Sequence, residues 1–297
     1  MPMKNPNPLP ASIEILPRQF KTMERLPFPS GTRVYLTDIG TPDTETEMIA
    51  AAVGMAALGY DPVPHIAARR IVSREVLERR VEALVQEAGV SSMLLIGGGL
   101  ERPSGPFESV MALLETGMFG RYGIRDIAIA GHPEGSPDFT AAVADAALMA
   151  KQAFAADHGI AMRIVTQFAF DPGAVLDWVA HIRKIGVYLP VHMGVAGPTG
   201  LTTLIKYAKM CGIGKSASLL ARQSKRLMGL GAGYSPDTVV VPVEEAVRDG
   251  QLDEITQIHV FPFGGLEASA MWLTKRGSWR EAEAAVEPAR SLPCGSA

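Results

Sequence analysis

The amino-acid sequence predicts a single (β/α)8 barrel, and three observations lead to that prediction. Short apolar runs rich in β-branched residues alternate with longer helical patterns, which is typical of parallel strands joined by helical crossovers. Eight such runs are present, the number that closes a barrel. The chain of 297 residues suits one large domain. An open doubly wound sheet is the alternative architecture, and both the strand count and the length favour the barrel.

The predicted strands are near-continuous apolar runs, as expected for strands buried on both faces. They cover 12–16, 33–39, 61–67, 92–98, 126–132, 162–168, 186–195 and 257–265. Four intervening helices are predicted at 44–58, 73–89, 136–159 and 171–186. Ser73 and Gly89 suit the two ends of the second helix, and Ser136 could cap the third. The stretch 199–256 is long enough for two or three helices before the last strand.

Composition limits the domain organisation and the partners. The sequence predicts a flexible lead-in at 1–10, a barrel at 11–285 and a tail at 286–297. A net charge of −3 argues against a general nucleic-acid or anionic-membrane binder. Two cysteines, Cys211 and Cys294, lie far apart without metal-ligand neighbours, so no metal site is predicted. No signal sequence or membrane-spanning run is found, a cytoplasmic location is expected, and a homo-oligomer is compatible with the sequence.

Polar residues recur at the carboxyl ends of the predicted strands. That end of a (β/α)8 barrel holds the active site, so these residues are the first candidates for chemistry. Most are the only polar group in an otherwise apolar strand. They are Glu14, Thr37, Asp38, His65, His132, Glu134, Gln167, His192 and His259.

Glu14 lies in SIEILP, where Ile13 and Ile15 alternate to the opposite face of the strand. If the two isoleucines face the helices, Glu14 points into the barrel, where a carboxylate is costly unless it is paired, solvated or held neutral. A neutral glutamic acid with a raised pKa suits general-acid catalysis. The pattern supports equally well a peripheral strand with Glu14 facing solvent.

Three further features are candidates for ligand contacts. Gln167 offers donors and an acceptor that suit the edge of a heterocycle, with a structural amide as the alternative. His65 ends a strand, although a lone histidine is more often structural. The loop AGHPEGSPD at 130–138 is dense in polar groups and is interpreted as a ligand loop, with a plain helix-capping loop as the alternative.

The fourth predicted strand ends in three glycines, within MLLIGGGLERPSGPF. A strand tip normally displays side chains, whereas Gly97, Gly98 and Gly99 offer only backbone. The stretch indicates either a ligand that approaches bare backbone or side chains that this chain lacks.

Taken together and in this order, these motifs resemble the methylenetetrahydrofolate reductase family. IEILP matches the family's early FEFFP-like strand at Glu14, and PHI matches its PHL-like strand at His65. GHPEGSPD matches most of GYPEGHPE, and VTQFAFD matches ITQxFFD at Thr166, Gln167 and Asp171. PVHMGVAGPTGLTTLIKYAKMCG is similar to the family's seventh strand and following helix. The resemblance covers most of the chain.

The resemblance implies a (β/α)8 barrel that reduces methylenetetrahydrofolate to methyltetrahydrofolate by hydride transfer. Glu14 would protonate the leaving amine nitrogen as the imidazolidine ring opens to an iminium. Gln167 and Thr37 would contact the folate, and Phe261 or Phe263 would stack on folate or nicotinamide. Methionine supply is the family's usual pathway, with recovery of one-carbon units as the alternative.

Several positions depart from the family on its FAD side. An Arg-Gly-Asp-like sequence at the tip of the fourth strand is replaced by Gly97–Gly99, and a loop Tyr is replaced by His132. The family's next helix reads Asp-x-x-x-Leu-Lys-x-Lys, and its last Lys meets the FAD phosphates. Aligned on Asp145, this chain has Gln152 there, and Lys151 lies one residue earlier, about 100° around the helix.

We therefore expect NADH, with NADPH as the alternative donor, to pass its hydride directly to the iminium without bound FAD. The expected cofactor contacts are His65, Gly98, Gly99, His132 and Asp145. FAD stays open, because glycine backbone N–H groups can hold a diphosphate. A folate-binding barrel without reductase activity, one that hands a one-carbon unit to a methyltransferase, and a barrel that uses a deazaflavin are the other interpretations.

Overall fold

The computed structural model describes residues 8–20, 28–41, 43–210, 234–250 and 252–279. Eight parallel strands form a closed barrel in chain order, and the last strand pairs with the first. The predicted fold class is therefore confirmed. The strands are β1 Ala11–Ile15, β2 Arg33–Leu36, β3 Asp61–Ala67, β4 Ser92–Ile96, β5 Asp126–Gly131, β6 Ala161–Thr166, β7 Val191–Ala196 and β8 Ile255–Phe261.

Helices surround the barrel, and the four clearest predictions are observed. The helices are α1 Thr44–Ala57, α2 Arg74–Ala88, α3 Val110–Leu114, α4 Met118–Arg121, α5 Ala141–His158, α6 Pro172–Lys184, α7 Leu201–Met210, α8 Asp237–Arg248 and α9 Leu266–Arg276. Ser73 caps α2 by accepting from Val76 N–H, and Gly89 ends it with φ of 62°. The predicted cap at Ser136 is wrong. Thr140 caps α5, and the Ser136 hydroxyl accepts from Asp138 N–H within the preceding loop.

Some strands are shorter than predicted because their ends turn into loops. The second was predicted to reach residue 39 but ends at Leu36. The last was predicted to reach residue 265 but ends at Phe261, whose carbonyl accepts a turn bond from Phe263 N–H at 2.8 Å. The seventh was predicted to begin at residue 186 but begins at Val191. Val187 N–H instead donates to the Ile182 carbonyl near the end of α6.

Two apolar layers follow from the alternation of side chains along the strands. Outward-facing residues such as Ile13 and Ile15 are buried in the large core between sheet and helices. A smaller core fills the middle of the barrel. It consists of Tyr35, Val63, Leu94, Ala128 and Val165, with Ile96 partly buried against it. The side chains at the two ends of this small core are polar, and they differ in kind.

The described part of the predicted N-terminal lead-in is attached to the barrel. Leu9 N–H donates to Glu244 at 2.8 Å, and the Pro10 carbonyl accepts from Ile258 N–H at 3.0 Å. The predicted C-terminal tail and both cysteines lie outside the described residues, as does the segment 211–233. None of the described helices combines the length and apolar character needed to span a bilayer.

Candidate active site at the carboxyl end of the barrel

Glu14 points into the barrel, which is one of the two orientations that the alternation in β1 left open. Its side chain is 15% exposed at the carboxyl end of the strands, which we call the barrel mouth. Thr37 Oγ1 lies 3.0 Å from Glu14 Oε1, and His259 Nε2 lies 3.3 Å from Oε2. His65 Nε2 lies 3.5 Å from the same Oε2. Three residues that were predicted separately are thus brought together around the Glu14 carboxylate: Thr37 just after β2, His65 in β3 and His259 in β8.

The electrostatics of Glu14 differ from the raised pKa expected for a general acid. Burial raises the pKa of Glu14, but the adjacent His65 and the hydrogen bonds from His259 and Thr37 outweigh burial and leave the pKa below its ordinary value. Burial lowers the pKa of His65, against the attraction of Glu14. Each of the two groups therefore favours the charged form of the other, and burial opposes both charges.

His65 has unused hydrogen-bonding capacity at this site. Its side chain is 4% exposed, and neither ring nitrogen makes a hydrogen bond within the described part of the chain. Buried polar nitrogens are normally satisfied by protein, water or ligand. His65 is therefore suited to contact a bound molecule, although it lies beside Glu14 and apart from the other predicted cofactor contacts.

His259 is held on both sides. Its Nδ1 lies 3.0 Å from the Ser12 hydroxyl, and both residues are fully buried. The barrel closure sets this contact, because Ser12 and His259 are register partners of β1 and β8. The Tyr35 ring stands edge-on to the imidazole, with centroids 4.5 Å apart.

An aromatic cluster lines the mouth beside strands β6 to β8. It consists of Phe168, Phe170, Tyr207, Tyr234, Phe261 and Phe263. Phe261 links it to the carboxylate site, because its ring lies 5.0 Å from that of His259 and 5.4 Å from that of Phe168. Tyr207 stacks on Phe263 at 4.1 Å. Such rings offer flat apolar faces to a heterocyclic ligand.

Gln167 follows β6 at the same end of the barrel. Its backbone N–H donates to the Gly131 carbonyl at 2.8 Å, and its carbonyl accepts from Thr166 Oγ1 at 2.9 Å. Gly194 passes so close to Thr166 and Gln167 that a Cβ there would collide with their backbone. The half-buried Gln167 side chain is thus carried on a fixed backbone at the mouth.

A cavity of about 820 Å³ opens between the tips of β4 and β5 and helices α3 and α5. Gly97, Gly99 and His132 are in its wall, together with Lys151 from α5. The inward-facing Ile96 at the end of β4 also lines it. Its size is typical of a small-molecule or nucleotide site.

Lys151 and His132 are the two lining residues of this cavity whose pKa is shifted by burial. Within the described residues, the Lys151 ammonium has no hydrogen-bond or ion-pair partner, and burial lowers its pKa. The pKa of His132 falls to about 4, first because of burial and then because of Lys151, with Asp138 opposing. A neutral imidazole and an unpaired cation therefore share the wall with Arg69 and with the carboxylates Glu101, Glu108 and Asp138. Lys151 is the group there that is suited to meet an anionic part of a ligand.

The glycine turn at 97–99 has a conformational cause. Gly98 and Gly99 have φ of 100° and 65°, which only glycine adopts readily. Arg70 Nε donates to the Gly98 carbonyl at 3.0 Å, and Arg69 Nη1 donates to Leu100 at 2.8 Å. The two arginines, which sequence reasoning missed, hold the turn open beside the cavity.

The positions aligned with the family's FAD contacts on α5 face away from the cavity. Asp145 lies 2.8 Å from His181 on α6. Gln152 donates to the Gly186 carbonyl and accepts from Tyr188 N–H, both at 2.7 Å. Neither residue lines the cavity, whereas Lys151 does. The predicted cofactor contacts are therefore divided between the cavity wall, the carboxylate site and the outer helices.

Sequence reasoning also missed a charged network at the amino end of the barrel. Arg163, 5% exposed, donates to Tyr35 Oη at 3.0 Å and to Ser92 at 2.8 Å, and it pairs with Asp126. Arg33 pairs with Asp126 at 3.2 Å. The available signal was a charged or polar residue at the start of several strands. Among the described residues, no group of three potential ligands could hold a metal ion.

Comparisons with known proteins support the architecture and not the activity. No protein-family model matches the sequence. A chitinase from Flavobacterium johnsoniae is 10% identical, with 91% of this chain and 94% of that chain covered and a TM-score of 0.50. Dihydropteroate synthase from Thermus thermophilus is 14% identical, covering 91% and 92%, with a TM-score of 0.47. At 10% identity the likeness to the chitinase shows the fold alone.

Proposed function

We propose that this protein reduces methylenetetrahydrofolate to methyltetrahydrofolate with NAD(P)H. The observation that carries the proposal is Glu14, an inward-facing carboxylate at the barrel mouth beside an aromatic cluster. The sequence motifs around Glu14, His65 and Gln167 supply the substrate class. Folate would lie over the mouth, with Gln167 bonding the pterin edge and Phe261 stacking on a ring.

The proposed reaction has two steps that balance. Glu14 gives a proton to the leaving amine nitrogen as the bond between that nitrogen and the methylene carbon breaks, which leaves a cationic iminium. The nicotinamide then transfers a hydride, which is one proton with two electrons, to the iminium carbon and becomes NAD(P)⁺. A proton from solvent restores Glu14. Substrate over the mouth excludes water, which favours the neutral acid that the first step needs.

The cavity is proposed to hold the adenosine diphosphate part of the dinucleotide. Lys151 offers a cation to the diphosphate, and the turn at Gly97–Gly99 lets a ligand approach backbone closely. FAD would need a diphosphate contact too, but Gln152, at the position of the family's phosphate-binding Lys, is bonded to the Gly186 carbonyl and to Tyr188 N–H. We therefore propose direct transfer from NAD(P)H, with NADH the first donor to test.

An assay of the purified protein tests the reaction. NADH or NADPH oxidation is followed with methylenetetrahydrofolate, with and without added FAD, and the product is identified by mass spectrometry. Formation of methyltetrahydrofolate supports the proposal. Folate binding without nucleotide oxidation under any of these conditions would leave a folate-binding barrel and overturn the reductase proposal.

Lys151 tests the placement of the dinucleotide. Lys151→Ala is expected to raise KM for NADH about tenfold while kcat stays close to wild type, because a diphosphate would lose its cation. Lys275→Ala is the matched control, since Lys275 is exposed on α9. An unchanged KM in Lys151→Ala would show that the diphosphate binds elsewhere.

A further inference from the structure

Ser12, His259 and Glu14 form a hydrogen-bonded chain inside the barrel. Ser12 Oγ lies 3.0 Å from His259 Nδ1, and His259 Nε2 lies 3.3 Å from Glu14 Oε2. Ser12 and His259 are fully buried, so water does not compete for either ring nitrogen. The contacts join β8 to β1 across the closure of the barrel.

The chain assigns the proton positions on His259. An ionised Glu14 only accepts, so Nε2 must carry the hydrogen that faces it, and Nδ1 must then be the acceptor. Ser12 has the one hydroxyl that faces Nδ1 within the described contacts, and it donates there. Ser12 therefore fixes the tautomer of His259, and the Nε2–H of that tautomer donates to Oε2 of Glu14.

The other oxygen of Glu14 has a partner that can reverse. Thr37 Oγ1 lies 3.0 Å from Glu14 Oε1 and 3.1 Å from the Ile15 carbonyl. The Thr37 hydroxyl can donate to an ionised Oε1. When Oε1 carries a proton, the Thr37 hydroxyl can accept a hydrogen bond from it and donate its own hydrogen to the Ile15 carbonyl. Both protonation states of Oε1 are therefore satisfied, whereas a proton on Oε2 would face the N–H of His259.

We propose that Ser12 and His259 are positioning residues that block one oxygen of Glu14 and so assign the transferred proton to the other. The inference rests on the proposed function for its catalytic meaning. Other titratable groups face this chain: His65 from β3 beside Glu14, Tyr35 from β2 against the ring of His259, and His192 from β7 by its electrostatic influence.

Ser12→Ala tests the proposal through the pH dependence of kcat. Without the Ser12 hydroxyl the His259 tautomer is no longer fixed, its bond to the Glu14 carboxylate weakens, and the pKa of Glu14 rises. Because turnover needs protonated Glu14, the alkaline fall of kcat should move to higher pH by about half a unit to one unit. Ser12→Thr keeps the hydroxyl and should restore the wild-type profile.

Ser92→Ala is the matched control. Ser92 is equally buried inside the barrel, but it bonds Arg163 at the amino end. Its variant should lose stability and keep the wild-type pH profile. A Ser12→Ala profile that coincides with those of wild type and Ser92→Ala would overturn the proposal, even if kcat were lower.

The tautomer can be measured without turnover, which separates this proposal from the proposed function. Nitrogen-15 NMR of histidine-labelled protein, assigned with His259→Asn, should show Nε2–H for His259 in wild type and in Ser92→Ala, and a mixture of tautomers in Ser12→Ala. A wild-type His259 with Nδ1–H would refute the positioning role. The expected tautomers in a protein without reductase activity would leave the positioning role intact and reject the reaction alone.

Discussion

The two ends of the barrel interior are both polar, but they are built from different groups. At the amino end, Arg163 and Arg33 form ion pairs with Asp126 and Asp61. At the carboxyl end, Glu14 meets the two histidines His65 and His259 and the hydroxyl of Thr37. The partners at the carboxyl end can change protonation or reverse a hydrogen bond. The amino end is therefore suited to fixing the fold, and the carboxyl end to exchanging a proton.

The largest expected effect comes from Glu14→Gln. The amide fills the same space and binds folate, but it cannot give up a proton, so kcat should fall by about 10²–10⁴-fold. Steady-state kinetics with a separate folate-binding titration measures the two effects. Glu47→Gln on the exposed face of α1 is the control. A Glu14→Gln variant with the wild-type kcat would show that Glu14 does not supply the proton and would contradict the proposed role of the carboxyl end.

Arg163→Met tests the other end of the comparison. Removing the guanidinium leaves the Tyr35 and Ser92 hydroxyls without their partner inside the barrel, and Asp126 loses one ion-pair partner. The free energy of unfolding should fall by about 3 kcal/mol. Urea denaturation measures it. Arg121→Met, which breaks an exposed pair with Glu78, should cost less than about 1 kcal/mol. Similar losses in the two variants would contradict a structural role for the amino end.

His192 lies between the two ends and should make stability fall in acid. Burial, reinforced by Arg163 and His259, lowers its pKa to about 2. The unfolded chain takes up this proton near the ordinary value of about 6.5, so stability is lost as pH falls below that value.

His192→Gln removes this dependence. Between pH 6.5 and 4.5 the variant should lose about 2 kcal/mol less free energy of unfolding than wild type. Urea denaturation at the two pH values measures the difference. An equal loss in both proteins would show that His192 is not held neutral by its surroundings.

The eight strands could be predicted because each is a near-continuous apolar run, and burial on both faces requires such runs. Their ends were less predictable, because turn contacts such as that from Phe263 N–H to the Phe261 carbonyl are not encoded in the pattern. Alternation with Ile13 and Ile15 placed Glu14 on the opposite face of the strand from the isoleucines, but it did not decide whether that face was the barrel interior or solvent.

The surroundings of Glu14 could not be predicted in the same way. His259 reaches Glu14 across 245 positions of sequence, and only the register between β1 and β8 brings Ser12 beside it. The lowered pKa of Glu14 depends on those long-range contacts. A sequence pattern can show which face a residue takes but not which partners the closed barrel supplies.

The most direct test of direct hydride transfer is one reaction of the purified protein with methylenetetrahydrofolate and NADH deuterated at the transferring C4 position. We predict a colourless protein without flavin absorption bands and a product whose methyl group carries one deuterium. Flavin bands in the purified protein, or product only after FAD is added, would contradict direct transfer and show that the glycine turn belongs to a flavin site.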